Sequence, residues 1–398
     1  MNELTQRAEP AWAAVISVTL GVFGLVTAEF LPASLLTPMA EDLGITEGMA
    51  GQAVTATAAI ALLTSLLITA AMRRIDRRFV LLTFSVLLVA SNLLVALAPT
   101  LPVLLIGRVL LGVALGGFWT MSVATIMRLV PEELVPRALS IMFSGVSVAT
   151  IAAAPLGSFF GDLIGWRNVF LAASLLGLLA LVVQYATLPR MAPSGVTRLR
   201  TLFDVLMRPR VGLGMLAAGL VFTGHFAFFT YIRPFLETVT GVGVNGVAAI
   251  LLGFGVANFV GNFLAGALIE RSLRLTLVVA PLLMGTLGLS LASQGGMAIL
   301  DGALVAVWGL AFGAIPVAWS TWLSRTVPDE AESAGGLLVA AIQLAIATGA
   351  AVGGMIVDIS GVTWVFIASG GMLLLAALVI VTGVQAREAS GADLSAGQ

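Results

Sequence analysis

Long apolar runs constrain the fold of this chain more than any other feature of its sequence. Twelve of these runs are long enough to span a bilayer. They lie at residues 12–38, 49–72, 79–99, 102–127, 138–161, 167–188, 211–236, 246–269, 276–296, 299–324, 334–357 and 362–385. About 20 residues of helix cross the roughly 30 Å of hydrocarbon in a bilayer, whereas a β-barrel would show short segments of alternating polarity. The runs therefore predict an all-α membrane protein with twelve transmembrane helices.

The composition agrees with a chain that lies in a lipid bilayer. Of its 398 residues, 59% are hydrophobic and only 10% are charged, and its mean hydropathy is +1.09. A soluble domain could not hide that much apolar surface from water. The chain has no cysteine, and its single histidine belongs to no metal-binding spacing. We therefore expect neither a metal nor another cofactor, and no nucleic-acid partner.

The basic residues indicate how the chain is oriented. All 19 are arginines, and 16 of them lie in the two tails and the even-numbered loops. Basic loops collect on the cytoplasmic side of a membrane, so both termini are predicted to be cytoplasmic. The opposite loops carry mostly acids, namely Glu41, Asp42, Glu47, Asp162, Glu237, Asp301 and Asp358. We call these two ends of the molecule the arginine-rich end and the acidic end.

The chain divides into two similar halves. A polar stretch at residues 189–210 predicts a cytoplasmic linker between an N-terminal six-helix bundle at 1–188 and a C-terminal six-helix bundle at 211–385, with a cytoplasmic tail at 386–398. At an offset of 197, the fourth span recurs in the tenth, so that Gly112, Gly116 and Pro131 match Gly309, Gly313 and Pro328. Two pseudo-symmetric bundles of this kind are typical of secondary transporters.

Glu29 is the first candidate for a coupling site. No other charge lies between Glu9 and Glu41, and an ionisable group at bilayer depth is rarely kept without a pathway or partner. Arg108 begins about two turns inside the fourth span, so it can lie at a comparable depth. The pair could bind a proton in response to substrate, or it could be a static ion pair between helices. Because Val305 occupies the position that matches Arg108, the asymmetry favours a role with ligand or proton.

Several motifs resemble those of the major facilitator superfamily. The run at residues 104–119 resembles the fourth-helix motif of its drug:proton antiporters, with Arg108 as the basic residue, and residues 145–157 resemble their fifth-helix antiporter motif. Blocks at residues 27–52, 154–170, 226–234 and 317–322 are similar to the superfamily's purine ribonucleoside efflux pumps. The resemblance implies proton-coupled export of inosine- or guanosine-like compounds by a monomer in a bacterial-type inner membrane.

The implied substrate would need flat apolar surfaces and a few polar groups. Two aromatic stripes at helical spacing supply such surfaces, one around Phe226 in the seventh span and one around Phe312 in the tenth. The substrate-binding candidates are Trp119, His225, Phe228, Tyr231, Asn258, Trp319 and Gln343. Each has a second interpretation, since aromatic stripes often pack against other helices and amides or imidazoles can simply join two helices. An offset of 196 places Glu29 on His225, so the titratable groups occupy matching sites.

Other functions remain open at the level of sequence. A transporter of the same fold could export sugars, amino acids or small drugs, although the lack of a second deep carboxylate beside Glu29 argues against cationic drugs. A membrane sensor or scaffold is the alternative from another class, but the short tails leave little of the chain for signalling, which argues against it. An intramembrane hydrolase would need an aspartyl pair or a metal motif, and neither appears. The expected class is therefore a transporter, not an enzyme.

Overall fold

The structure, a computed structural model, describes residues 10–71, 74–192, 204–208 and 211–384. The described part is helical and contains no strand, which confirms the all-α expectation. Its helices are α1 (Trp12–Ser34), α2 (Leu36–Leu43), α3 (Glu47–Ala71), α4 (Arg77–Ala96), α5 (Leu101–Leu129), α6 (Val135–Ile164), α7 (Trp166–Thr187), α8 (Val211–Thr230), α9 (Ile232–Thr238), α10 (Val244–Gln294), α11 (Ala298–Thr326), α12 (Ala331–Ser360) and α13 (Val362–Gly383). Single 3₁₀ turns, Glu132–Leu134 and Pro328–Glu330, precede α6 and α12.

The long helix α10 contains two of the predicted spans. Eleven helices of the described residues are long and apolar enough to cross a bilayer, and α10 alone has 51 residues, about twice what one crossing needs. Ser272 interrupts it with an extended backbone (φ −168°, ψ 112°) beside Arg271 at the arginine-rich end. Arg271 and Ser272 can face the lipid headgroups at this end of the bilayer. The break at Ser272 thus separates two crossings within α10. Counting α10 twice gives the twelve predicted crossings.

The first and seventh predicted spans are each broken near the acidic end, which corrects the expectation of continuous helices at 12–38 and 211–236. The break lies at Leu35 (φ −114°, ψ 10°) and at Tyr231 (φ −109°, ψ 17°). These two residues stand 196 positions apart, the same offset as the sequence repeat. The duplication is therefore visible in the backbone geometry of the break as well as in the sequence motifs that repeat between the two halves.

Matching glycines let matching helices pack closely. A Cβ on Gly116 of α5 would overlap the carbonyl oxygen of Ala61 in α3, and a Cβ on Gly313 of α11 would overlap that of Asn258 in α10. Small residues allow helix backbones to approach where lipid offers no hydrophobic driving force. The fourth and tenth spans thus hold their neighbours in the same way in both bundles.

The predicted linker is fixed to a different bundle at each end. At its start, the Met191 amide donates to Asp76 Oδ1 over 3.0 Å, and Asp76 also caps α4 by accepting from the Arg78 amide at 2.8 Å. At its end, the Arg208 guanidinium donates to both carboxylate oxygens of Asp329 at 2.8 Å. This bidentate contact holds the pKa of Asp329 below its ordinary value. Residues 193–203 and 209–210, and the predicted tail, lie outside the described residues, so the domain boundaries remain predictions.

The glycine contact between α3 and α5 gives a test of the packing. Gly116→Val would force the two helix backbones apart, so we expect it to destabilise the protein by about 1–3 kcal/mol, the usual cost of overpacking. The measurement is the melting temperature of the detergent-purified protein. Gly219→Val in α8 is the matched control, because nothing lies within 4 Å of a Cβ at Gly219. Equal melting temperatures for the two variants would show that close packing at Gly116 is not required.

Candidate functional site

A narrow cavity lies between the two bundles and contains Glu29. Its volume is about 10 Å³, room for about one water molecule, so in this arrangement it does not hold a nucleoside-sized ligand. The lining residues come from α1, α3, α8 and α12, and they are Glu29, Phe30, Ala33, Val54, Phe226, Phe229, Thr230 and Ile346. The wall is therefore largely aromatic and aliphatic, with one carboxylate and one hydroxyl. A larger ligand would require the bundles to separate here.

Arg108 lies next to this cavity and is fully buried. Its Nη1 donates to the Ala28 carbonyl at 2.8 Å and its Nε donates to the Ala53 carbonyl at 3.1 Å, while its Nη2 has no hydrogen-bond partner among the described residues. Arg108 and Glu29 interact electrostatically, but no ion pair within 4.0 Å joins them. The two groups therefore interact electrostatically without forming a direct ion pair, and their role as a coupling pair stays a prediction.

Pro32 explains why the Ala28 carbonyl is open to Arg108. In an uninterrupted helix the amide of residue 32 would donate to the carbonyl of residue 28, but proline has no amide hydrogen. The freed oxygen lies in the interior of the bundle, where it needs a donor from the protein. Arg108 supplies that donor and so fixes α5 against α1 and α3. The sequence carried this signal, since a proline four residues after a buried position marks a carbonyl that needs a partner.

His225 lies behind the cavity wall in a cage of aromatic rings. Its ring stacks on Phe312 with 3.3 Å between centroids and lies parallel to Phe229 at 5.8 Å. The Trp308 indole N–H donates to His225 Nδ1 over 3.1 Å. Because an indole nitrogen can only donate, Nδ1 must be an acceptor, and the imidazole in this arrangement is neutral. His225 is 2% exposed, so it supports Phe229 from behind and does not line the cavity.

Phe228 and Tyr231 are both buried within packed regions. Phe228 stacks on Trp308 with 3.8 Å between ring centroids, on the side of α8 that faces the C-terminal bundle. Tyr231 lies at the break after α8, where its hydroxyl donates to the Ala350 carbonyl at 2.8 Å. In this arrangement neither side chain is among the residues that line the cavity.

The remaining candidates lie elsewhere in the two bundles. Asn258 Nδ2 donates to the Gly309 carbonyl at 3.3 Å and so joins α10 to α11. Trp119 is half-buried, with its ring 6.4 Å from that of Phe143. Trp319 and Gln343 are buried, and in the described part of the chain neither the indole Nε1 of Trp319 nor the amide Oε1 of Gln343 has a hydrogen-bond partner. Gln343 precedes the lining residue Ile346 by three positions, which places both on one face of α12.

Sequence reasoning missed most of the cavity wall. Glu29 is the one site candidate among the lining residues, while Phe30, Val54, Thr230 and Ile346 were not selected. The available signal was the stripe that contains Phe226 and Phe229, together with the offset of 196 that matches Phe30 to Phe226. Aliphatic residues such as Val54 carry no such signal, because they resemble every other residue of a transmembrane span.

A family model described as Major Facilitator Superfamily matches residues 18–338. The chain belongs to the Major Facilitator Superfamily. Two relatives described as "Purine ribonucleoside efflux pump NepI", from Salmonella paratyphi C (strain RKS4594) and Escherichia coli (strain K12), are each 48% identical over 95% of this chain, and the match covers 95% and 96% of their own lengths. A solved D-xylose-proton symporter superposes with a TM-score of 0.76 at 20% identity, over 94% of this chain and 98% of the symporter, which supports the superfamily fold. The protein is thus a multi-pass membrane transporter.

Polar contacts between the bundles close the acidic end of this transporter. Asp358 at the end of α12 accepts from the Thr46 hydroxyl at 2.8 Å and from the Gly48 amide at 3.1 Å, at the start of α3. A carboxylate is stabilised by the partial positive charge at a helix N-terminus. Nearby, Arg233 pairs with Glu237 at 2.7 Å and donates to the Ser34 carbonyl at 2.5 Å. These contacts bring α3 to α12 and α1 to α9 across the interface.

The contact of Asp358 with α3 predicts a change in access from the acidic end. Asp358→Asn keeps the volume but loses the charge, so it weakens both hydrogen bonds and favours opening by roughly fivefold, as for other exposed ionic contacts. The measurement uses the natural absence of cysteine: a single Val54→Cys reporter in the cavity is labelled with an impermeant maleimide. We expect faster labelling in the Asp358→Asn background.

Glu41→Gln is the matched control for this labelling experiment. Glu41 is an exposed carboxylate at the same end, and no hydrogen bond or ion pair from it to the C-terminal bundle was found among the described residues. It should leave the labelling rate unchanged. Equal rates in Asp358→Asn and in the parent would mean that the Asp358 contacts do not hold this end closed.

Proposed function

We propose that this transporter is a proton-coupled antiporter that exports purine ribonucleosides such as inosine and guanosine. The two relatives that match over 95% of the chain carry the name purine ribonucleoside efflux pump, and an identity of 48% over that length supports a related substrate. We also propose a bacterial-type inner membrane location, cytoplasmic termini and a monomeric transporter. The arginine-rich end supports that orientation.

The observation that carries the proposal is the position of Glu29 in an aromatic cavity between the bundles. Alternating access moves two bundles around a central site, so a group at their interface feels both substrate and conformation. The rings of Phe30, Phe226 and Phe229 offer surfaces on which a planar base can stack. Glu29 offers a carboxylate to the same space. One cavity therefore supplies the groups for a nucleoside and for a proton.

Arg108 makes the charge of Glu29 dependent on its surroundings. The ionised carboxylate can be stabilised by the guanidinium, whose Nη2 has no other partner within the segments that the structure describes. Protonation removes that attraction and turns the carboxyl group into a hydrogen-bond donor. A nucleoside that binds the ionised form competes with the proton. Since such coupling is reciprocal, binding of the nucleoside releases the proton.

His225 has a supporting role in this proposal. In this arrangement Nδ1 accepts the hydrogen bond from Trp308, so we assign the imidazole a neutral role that does not carry the coupling proton. Its stacking contacts with Phe229 and Phe312 hold the cavity wall in place. Trp319 and Gln343 each hold a buried polar atom without a hydrogen-bond partner in the described ranges, so they are further groups that a substrate could reach when the bundles separate.

Transport itself provides the first test of the proposal. Inverted membrane vesicles that contain the protein should accumulate labelled inosine when an acid-inside pH gradient is imposed, because protons leaving the lumen drive the substrate in. A protonophore should abolish the accumulation. Failure to transport inosine or guanosine, together with gradient-driven uptake of a sugar, an amino acid or a dye, would assign the transporter to another substrate class.

Proton release upon substrate binding tests the role of Glu29. Inosine added to the detergent-purified protein in weak buffer should release protons, and the affinity for inosine should rise with pH while Glu29 titrates. Glu29→Gln resembles the protonated carboxyl group at nearly constant volume, so it should fold but release no proton. Its inosine affinity should be nearly independent of pH.

The matched control for this experiment is Glu41→Gln, which removes an exposed carboxylate outside the cavity. It should release protons as the parent protein does. Undiminished proton release in Glu29→Gln would exclude Glu29 as the coupling group.

A further inference from the structure

Two rings that come from opposite bundles meet in the cavity. Phe30 of α1 and Phe229 of α8 lie edge to face, with 5.5 Å between their centroids and 79° between their planes. Both rings line the cavity. Because α1 and α8 belong to different bundles, any separation of the bundles at this depth changes the distance between these two rings.

The two rings are held to different degrees. Phe229 is 6% exposed, and its ring packs against His225 at 5.8 Å and Phe254 at 5.3 Å between centroids. Phe30 is half-buried, and Phe229 is the aromatic partner found for it among the described residues. A fixed ring opposite a less constrained one can admit a flat group between them without rearranging the C-terminal bundle.

Each ring is next to a polar residue that also lines the cavity. Glu29 precedes Phe30, and Thr230 follows Phe229. The Thr230 hydroxyl donates to the Phe226 carbonyl at 2.6 Å, so its oxygen still has lone pairs with which to accept a hydrogen bond. Both polar groups can therefore accept from the N–H or hydroxyl groups of a ligand. The cavity combines ring faces and acceptors from both bundles.

We propose that Phe30 and Phe229 form the subsite that binds the purine base, an inference that rests on the proposed function. The base separates the two rings and replaces their edge contact by stacking on each. Glu29 and Thr230 accept hydrogen bonds from the nucleoside at the edge of the base and from the ribose. The base then connects the two bundles, so one contact determines both the preference for a planar base and the response of the bundles to substrate.

The interaction free energies of the aromatic contacts favour this exchange. A base that stacks on an aromatic side chain contributes more than a single edge contact between two phenyl rings, and it does so for any base with a flat face. Two stacking contacts therefore replace one edge contact. Ribose alone has no flat face and gains nothing from the rings.

The test compares inosine with ribose in variants of the two rings. Phe30→Leu and Phe229→Leu remove the flat face and keep an apolar side chain. We expect each to weaken inosine binding roughly tenfold in calorimetric titration of the purified protein, the lower part of the range for loss of base stacking. Ribose binding should not change, so the ratio of the two affinities falls.

The chain contains a matched control pair of rings. Phe159 and Phe160 of α6 have nearly the same geometry, with 5.4 Å between centroids and 77° between planes, but they are 43% and 41% exposed and lie outside the cavity. Phe159→Leu should leave both affinities unchanged. If Phe229→Leu fails to fold, Phe30→Leu alone decides the matter, since Phe30 is less enclosed.

The outcomes separate this inference from the proposed function. If the parent protein binds neither inosine nor guanosine, the proposed function fails and the base subsite fails with it. If the parent protein binds inosine and the ring variants bind it equally well, only the subsite is wrong. A tenfold loss that affects inosine and ribose equally would also overturn the subsite, because it would indicate general damage to the cavity.

Discussion

A backbone carbonyl inside a bilayer must find a donor within the protein, because no water is available there. Pro32 removes the amide that would serve Ala28, and the Arg108 guanidinium serves it over 2.8 Å. The same side chain reaches Ala53, so one residue fixes three helices. Because the arginine is held in place by these carbonyls, its charge is brought close to Glu29 without being neutralised by it. Glu29 is the one carboxylate among the described residues that line the cavity, and both its position and the electrostatic field around it depend on this arrangement.

Three arginines, Arg108, Arg167 and Arg233, lie outside the arginine-rich end, and their contacts differ. Arg167 pairs with Asp42 at 2.7 Å, and Arg233 pairs with Glu237 at 2.7 Å, so both stabilise the acidic end. Arg108 is buried more completely, but its Nη2 finds no hydrogen-bond partner among the residues that the structure describes. A buried donor that stays unpaired destabilises the folded protein and calls for an explanation. Competition between the arginine and a proton for Glu29 would provide one.

The duplicated scaffold and its asymmetries have separate consequences. Matching breaks at Leu35 and Tyr231, and matching close contacts at Gly116 and Gly313, give both bundles the same frame. The side chains of the site do not match. Glu29 faces the cavity, whereas its counterpart His225 lies behind Phe229 in an aromatic cage. The repeat therefore gives the two bundles a similar frame, and the unmatched residues supply the ionisable and aromatic groups of the site.

The sequence by itself determined the class of fold, because the length of the apolar runs and the exclusion of unpaired backbone groups from lipid leave few alternatives. Local residue types also fixed the repeat and singled out Glu29. Only the tertiary structure decided which rings meet, since Phe30 and Phe229 are 199 positions apart and nothing in either helix indicates the other. The hydropathy pattern also does not indicate which face of a helix contacts the second bundle, because lipid-facing and buried surfaces are both apolar. That choice rests on the packing of many side chains at once, which no single segment encodes.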